Sequence, residues 1–292
     1  MANQGRLEIL SLPDGRKLAY TEFGVAYGFP VLYFHGAPSS RLEPLLIGDD
    51  VFARLNLRLI SLDRPGIGGS DFQPNRGFSD WAQDVLAFAE VLGLLKFSIL
   101  GNSGGGGYAA VCAARIPERL QNVVIVSGGW RMNQPEAMKN LPFRNRLVFM
   151  IADKAPLLLK PILNMMAAPS QGEPEQQLSQ LKPTLHPADY AIFQQPGKLE
   201  ALNQAIQEAM RQGTKGAEWD LRLYVREWDF RLDEIQIPLK LFHGEEDQNA
   251  PIALVRKMVA QIPNAQLTTF KHEAHLSTFH NHIDELAQAL VN

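Results

Sequence analysis

The sequence predicts an α/β protein with a doubly wound, mostly parallel sheet and an inserted helical cap. Two observations support this fold class. Short apolar runs bounded by Gly or Pro, typical of buried parallel strands, alternate with segments of helical spacing. From Trp130 to about Asp233 no strand-like run occurs, and the alternation then resumes. Such alternation implies a parallel sheet with right-handed crossovers. The expected division is a core of residues 1–129 and 236–292 and a helical cap of residues 130–235.

The predicted strands begin with a hairpin. The segment "LEILSLPDGRKLAYTEFG" holds two strand-like runs that meet at Asp14-Gly15, a dipeptide typical of tight hairpin turns. Buried strands are then expected in "PVLYFHG", "LRLISLDRPG", "FSILGNS" and "VVIVSGG", and, after the cap, in "IPLKLFHG" and "AQLTTF".

The predicted core helices lie between these strands. The segment "SDWAQDVLAFAEVLGLL" starts at Ser79, has Asp80 in its first turn, and carries an apolar stripe that extends to Val91 and Leu92. The Ala-rich "GGYAAVCAAR" ends before Pro117. Two further helices are expected in "IALVRKMVAQI" and in the closing "NHIDELAQALV".

Composition limits the classes of function. Hydrophobic residues make up 46% of the 292 residues, enough for a sizeable core, and the net charge of -3 without a Lys/Arg block argues against a nucleic-acid partner. The single cysteine, Cys112, excludes an internal disulfide and fits a reducing compartment. The N-terminus lacks the pattern of a secretory signal, and charged residues and prolines interrupt the most apolar stretch. We therefore expect a cytoplasmic protein without a membrane span that acts on a small molecule; its oligomeric state is left open.

The segment "GNSGG" from Gly101 to Gly105 follows a predicted strand and opens a predicted helix. It fits G-x-S-x-G, the nucleophile elbow, in the context that this motif requires. At such a sharp turn a side chain two residues before or after the serine crowds the backbone, which accounts for Gly101 and Gly105. The helix N-terminus also supplies free N–H groups beside Ser103. The pattern therefore predicts Ser103 as a nucleophile.

Three further roles for these glycines fit the sequence less well. A phosphate-binding P-loop requires a Lys that is absent here. The dinucleotide fingerprint is met formally by Gly104, Gly106 and Ala109, but the next strand ends without the acidic residue that binds the ribose. The predicted strand and helix on either side exclude a flexible linker. A purely structural serine stays open until its partners are considered. No cofactor is expected.

A serine hydroxyl needs a base to accept its proton. Of the seven histidines, His275 follows the last predicted strand and precedes the closing helix, and His272 is its main rival. The cluster "HEAHLSTFHNH" is one residue short of the zinc motif H-E-x-x-H, so no metal site is expected.

The base in turn needs an acid that orients it. The loop after "PLKLFHG" contains Glu245, Glu246 and Asp247, and Asp247 lies four residues before Pro251, which can begin the next helix. Asp247 is thus placed at the C-terminal end of a strand, where chemistry gathers in open α/β sheets. The order Ser103, Asp247, His275 is the order expected for a nucleophile-elbow enzyme. Glu245 and Glu246 are interpreted as solvated loop charges.

Several segments together resemble the α/β-hydrolase fold family, from His35 to Ser277. They are "FHGAP", "DRPGIGGSD", "GNSGGG", "HGEEDQNAP" and "HEAHLS". The resemblance implies Ser103 as nucleophile, Asp247 as acid and His275 as base. It also implies an oxyanion hole formed by the backbone N–H groups of Ala37 and Gly104.

The same resemblance covers the supporting loops. "DRPGIGGSD" is similar to a structural turn of the family, so Asp63 and Arg64 are expected to brace loops and Asp71 to cap a helix. The loop "HGAP" departs from the HGGG form of many lipases and esterases and only partly resembles the loop of proline iminopeptidases. The subfamily is therefore left open.

A serine at the elbow favours acyl chemistry, so the predicted function is hydrolysis of an ester or related acyl bond of a small, apolar substrate through an acyl-enzyme. The apolar residues between Leu147 and Met166 either line an acyl pocket or form the core of the cap. One alternative is an aminopeptidase of the proline-iminopeptidase type, with Glu173, Glu175 or Glu218 binding the substrate amine. The other is a ligand-binding or lyase member of the fold without hydrolytic activity.

Overall fold

A computed structural model describes residues 6–168 and 173–292. In this part of the chain eight strands form one sheet in the order β1-β2-β4-β3-β5-β6-β7-β8. β1 pairs antiparallel with β2, β2 antiparallel with β4, and every other pair is parallel. The strands are β1 (Glu8–Ser11), β2 (Lys17–Gly24), β3 (Phe29–Phe34), β4 (Leu57–Leu62), β5 (Phe97–Asn102), β6 (Leu120–Val126), β7 (Leu239–Gly244) and β8 (Ala265–Phe270).

Helices cover both faces of the sheet, as a doubly wound fold requires. Side chains alternate between the faces along each strand, so Leu32 of β3 joins one buried cluster and Tyr33 joins the other. The first cluster includes helices α2 (Phe78–Val91), α3 (Gly106–Arg115) and α11 (Ile252–Val259). The second includes α1 (Asp49–Arg54), α12 (His275–Asn281) and α13 (Ile283–Val291). The predicted α/β fold class is thereby confirmed.

The predicted closing helix is α13, and a further helix that was not predicted, α12, begins at His275. Two local predictions were wrong. Val91 is 61% exposed, so the buried stripe of α2 ends before it. Asp71 caps no helix, because its carboxylate accepts the N–H of Lys17 at 2.8 Å and holds the hairpin strand instead.

The described residues between β6 and β7 contain helices and no strand. We call residues 130–235 the insert. Its helices are α4 (Pro135–Asn140), α5 (Phe143–Lys154), α6 (Leu159–Ala167), α7 (Pro174–Leu181), α8 (Pro187–Phe193), α9 (Lys198–Ala209) and α10 (Lys215–Leu223).

The two ends of the insert pack with the sheet and its helices. Trp130 at the start and Tyr224 and Phe230 near the end belong to the first buried cluster. The middle belongs to a separate cluster, which includes Leu159 of α6 and Leu221 of α10 together with Ile67 of the core. Within the described residues, no helix of the insert or of the core is long and apolar enough to span a membrane.

Candidate active site

Ser103 lies at a sharp turn between β5 and α3. A short 3₁₀ turn over Ser103–Gly105 joins the two elements, and Ser103 has a φ of 50°. This left-handed backbone is uncommon for a residue with a side chain and indicates local strain. The neighbouring glycines are required sterically: a Cβ on Gly101 would lie 2.8 Å from the Gly105 oxygen, and one on Gly105 would lie 2.0 Å from the Phe34 oxygen.

Three polar side chains from distant parts of the sequence meet at this turn. His275 Nε2 is 2.8 Å from Ser103 Oγ, and His275 Nδ1 is 2.8 Å from Asp247 Oδ2. The other oxygen of Asp247 accepts the backbone N–H groups of Asn249 at 2.8 Å and Ala250 at 2.9 Å. With Asp247 charged, Nδ1 of His275 donates its proton to the carboxylate, so Nε2 is free to accept one from Ser103.

Asp247 and His275 each stabilise the charged form of the other. Burial opposes ionisation of Asp247, but the charge and hydrogen bond of His275, the charge of His243 and the N–H of Ala250 together outweigh it. The pKa of the carboxyl therefore lies below its ordinary value. Burial likewise disfavours the imidazolium of His275, but the charge and hydrogen bond of Asp247, with smaller contributions from Asp189 and Glu43, together outweigh it. The pKa of His275 therefore lies above its ordinary value.

Two backbone N–H groups lie next to the serine. A Cβ on Gly104 would be 3.0 Å from the nitrogen of Ala37, so the two backbones are close to each other beside Ser103. The N–H of Gly104 is in the first turn of a helix and has no intrahelical acceptor. The N–H of Gly36 is not available, because it donates to Glu43 Oε2 at 2.5 Å.

A cavity of about 270 Å³ opens above Ser103 and His275. Among the described residues that line it, no side chain except His275 is titratable at neutral pH, and its polar pair is Asn145 and Asn249, joined by a hydrogen bond of 2.7 Å. Helices α5 and α6 supply most of its apolar wall: Val148, Phe149, Leu159, Ile162, Leu163 and Met166.

The apolar residues between Leu147 and Met166 divide into three sets. One set forms this apolar wall of the cavity. A second, which includes Ile151 and Ala152, packs in the buried cluster with Leu159 and Leu221. The third faces outward, and Leu147, Met150, Leu157 and Met165 are between 42% and 89% exposed. Only part of this stretch therefore lines a pocket.

A sequence model described as the alpha/beta hydrolase fold matches residues 30–281. The chain belongs to the α/β-hydrolase fold family.

Individual relatives of this α/β-hydrolase chain are distant. It is 37% identical to a non-heme chloroperoxidase of Streptomyces lividans over 123 residues, which is 39% of this chain and 42% of that protein. It is 26% identical to a bifunctional esterase/perhydrolase of Acinetobacter calcoaceticus over 276 residues, 88% of each chain. The solved structure of an esterase from Rhodococcus sp. ECU1013 has a TM-score of 0.66 and 21% identity, and the match covers 97% of this chain and 99% of that one.

A buried ionic network supports the loop that carries Ala37 in this α/β-hydrolase. Arg64 donates to the backbone oxygens of His35 and Gly36 and forms an ion pair with Asp220 of α10 at 2.8 Å. Asp220 is also paired with Arg76. Burial opposes its ionisation, but the two guanidinium groups lower its pKa to about 2. Arg64 thus braces the loop, as expected.

Tyr224 connects the insert to the elbow itself. Its hydroxyl donates to the Gly104 oxygen at 2.5 Å and accepts the N–H of Gly107 at 3.2 Å. Residues of the insert therefore contact both the loop with Ala37 and the turn with Ser103.

Two buried acids were not identified in the sequence. Glu43 accepts the amide of Asn102 at 2.7 Å as well as the N–H of Gly36, and burial raises its pKa. Asp189 of α8 contacts the first turn of α12. Neither belongs to a local motif, so no signal in the sequence marks them.

The rival candidates lie elsewhere in this α/β-hydrolase. The side chain of His272 is 88% exposed and contacts Glu246 at 3.3 Å. Glu173 and Glu175 are exposed, and Glu218 accepts the hydroxyl of Thr214. None of them lines the cavity. Within the described residues, no three His, Cys, Asp or Glu side chains are grouped to hold a metal ion.

Proposed function

We propose that this hydrolase cleaves an ester or related acyl bond of a small, uncharged, apolar substrate through an acyl-enzyme on Ser103. Membership of the α/β-hydrolase family supports the class of enzyme. The observation that supports the reaction is the hydrogen-bonded chain Asp247–His275–Ser103 at the floor of an apolar cavity.

The proposed chemistry follows from this geometry. His275 Nε2 takes the proton of Ser103 while Oγ attacks the carbonyl carbon, and Asp247 stabilises the imidazolium that forms. The carbonyl oxygen becomes an oxyanion that accepts the N–H groups of Ala37 and Gly104. His275 then protonates the departing alcohol as the carbon–oxygen bond breaks. A water molecule, deprotonated by His275, releases the acid and restores Ser103.

The insert, residues 130–235, is proposed to act as a cap over this site. Its helices α5 and α6 form the cavity wall, which would exclude water from the oxyanion and select the substrate by size. An aminopeptidase requires an anionic site for the substrate amine, whereas the described cavity wall has no carboxylate. The cavity therefore supports an ester more than a peptide, in line with the esterase activity named for the Acinetobacter relative.

The test compares nitrophenyl esters of increasing acyl length with amino-acid nitroanilides, together with labelling by a fluorophosphonate. We expect turnover of the esters and labelling of the wild type, and neither in Ser103→Ala with an unchanged circular dichroism spectrum. Faster turnover of the amino-acid amides would contradict the choice of substrate. Full esterase activity in Ser103→Ala would contradict the mechanism.

A further inference from the structure

Helix α8 of the insert lies against the helix that begins with His275. Asp189, in the first turn of α8, is 4% exposed. Its Oδ2 accepts the N–H of His275 at 3.2 Å, and its Oδ1 accepts those of Leu276 at 2.8 Å and Ser277 at 2.9 Å. Amides in the first turn of a helix have no intrahelical acceptor, so a side chain from the insert completes the N-terminus of α12.

These bonds constrain the histidine in position. The imidazole must keep Nε2 toward Ser103 and Nδ1 toward Asp247 at once, and both directions depend on where the backbone of His275 is held. Ser127 contributes from the opposite side, because its hydroxyl donates to the oxygen of His275 at 2.7 Å. The backbone of His275 is thus held at its nitrogen by the insert and at its oxygen by the core.

The same carboxylate places a negative charge beside a histidine that becomes positive during catalysis. The other titratable groups that face His275 are Asp247 in the loop after β7, Glu43 before α1, and His243 in β7. Of the three acids, Asp189 is the one supplied by the insert. A buried charge near an imidazole favours its protonated form.

The start of α8 makes a second contact with the catalytic loops. His186, which precedes α8, accepts the N–H of Ala188 on Nδ1 at 3.3 Å. Its Nε2 therefore carries the proton and donates it to Glu246 at 2.7 Å, next to Asp247 in the sequence. One short helix of the insert thus contacts the loop of the acid and the helix of the base.

We propose that Asp189 is a positioning residue, through which the insert fixes the orientation of His275 and stabilises its protonated form. This assignment rests on the proposed function, because it takes His275 as the catalytic base. The insert then completes the triad as well as forming the wall of the cavity.

The decisive variant is Asp189→Asn, which removes the charge and keeps one acceptor for α12. We expect the midpoint of the pH profile of kcat/KM to move about half a unit toward acid pH, because the imidazolium loses a favourable charge. We also expect kcat on the alkaline plateau to fall roughly 10-fold, since small misplacements of a reacting group are costly. KM for a short ester stays near that of the wild type, because Asp189 does not line the cavity.

The matched control is Asp153→Asn, which removes a negative charge from α5 of the same insert, beside Lys154. Its profile should match the wild type. An unchanged midpoint in Asp189→Asn, together with a lower melting temperature, would mean that Asp189 only attaches the insert and would overturn the assignment.

Two further measurements keep the test decisive. The first is titration of the His275 imidazole by NMR, with its signal assigned by the loss of that signal in His275→Gln. The pKa of His275 should move toward acid pH in Asp189→Asn whether or not the protein turns over esters. A failure of the proposed esterase activity is therefore distinguishable from a failure of this assignment. If Asp189→Asn does not fold, Asp189→Glu retains the charge on a longer side chain. It should keep the wild-type midpoint with a lower plateau, and a midpoint displaced toward acid pH would contradict the assignment.

Discussion

Asp247 is a buried carboxylate that accepts three hydrogen bonds, from the imidazole of His275 and the N–H groups of Asn249 and Ala250. These donors hold it in its charged form in spite of burial. Glu245, two residues earlier, instead contacts Thr269 and the exposed Arg256. Two acids in one loop thus have different environments.

This difference predicts different mutational effects. Asp247→Asn should lower kcat by about 10⁴-fold, because an amide holds the imidazole in the wrong tautomer. Glu245→Gln is the matched control and should keep nearly full activity. Ester turnover by the purified variants measures both effects, and a larger loss in Glu245→Gln would show that the acid has been assigned to the wrong residue.

The pKa of His275 predicts the pH dependence. The base must be neutral to accept the proton of Ser103, and the pKa is raised above the ordinary value of about 6.5. The pH profile of kcat/KM should therefore rise to a plateau with its midpoint above about 6.5. A midpoint below that value would contradict a raised pKa, in which Asp247 and the neighbouring acids together outweigh burial.

The same shift affects folding stability in the opposite sense. A raised pKa means that the folded state binds the proton more tightly than the unfolded state, so this contribution is complete below about pH 6.5. It is lost as the pH rises through the folded pKa. We therefore expect activity to be highest at pH values where His275 no longer contributes to stability.

Helices α5 and α6 form the wall of the cavity with one face and meet solvent with the other. Met166 lines the cavity, whereas its neighbour Met165 is 69% exposed and does not. Adjacent methionines on one helix therefore offer a matched pair of substitutions.

Met166→Ala should enlarge the cavity and shift the preferred acyl chain to longer esters. Each additional buried CH₂ is worth about 0.8 kcal/mol, or roughly 4-fold in kcat/KM. The readout is kcat/KM across nitrophenyl esters of increasing chain length. Met165→Ala should leave the preference unchanged; equal shifts in both variants would assign α6 a general packing role.

At the scale of elements, the features that could be predicted from the sequence are those that a local pattern of residues specifies. Periodicity predicted the strands, and the elbow motif predicted the turn between β5 and α3 on which Ser103 lies. Asp189 was missed because its contact with His275 joins residues 86 apart in sequence. Helix α12 was not predicted, because His275–Asn281 has only two apolar side chains, Leu276 and Phe279, too few to define a helical stripe. Features of this kind depend on tertiary packing, which local propensity does not predict.

At the scale of the whole molecule, a buried ionic network joins the insert to the core. Asp220 of α10 pairs with Arg64 and Arg76, and all three side chains are at most 1% exposed. Tyr108 of α3 donates to the same carboxylate at 2.7 Å. The insert is therefore attached to the core by charge as well as by apolar packing.

Removing the shared acid should be costly. Asp220→Asn leaves two buried guanidinium groups without their counter-charge, and we expect about 3–5 kcal/mol of lost stability in urea unfolding. Asp233→Asn, which removes an exposed acid near the end of the insert, should change the unfolding midpoint little. A small loss in Asp220→Asn would show that water reaches the network.

Asp220 also makes the stability of the folded state depend on pH in the acid range. Its pKa is about 2 in the folded protein against an ordinary 3.8, so the folded state holds the proton less tightly than the unfolded one. Its stabilising contribution is therefore present above about pH 3.8 and lost as the pH falls through about 2. The free energy of unfolding of Asp220→Asn should depend less on pH in this window than that of the wild type.

The positions of the tryptophans make intrinsic fluorescence sensitive to the packing of the insert. Three of its four tryptophans, Trp130, Trp219 and Trp228, lie near the two ends of the insert. Trp130 and Trp228 stack with ring centroids 6.1 Å apart, and Trp228 also packs against Tyr224, which lines the cavity. The intrinsic fluorescence of the unlabelled protein should therefore change both when the insert separates from the core and when an acyl ligand enters the cavity.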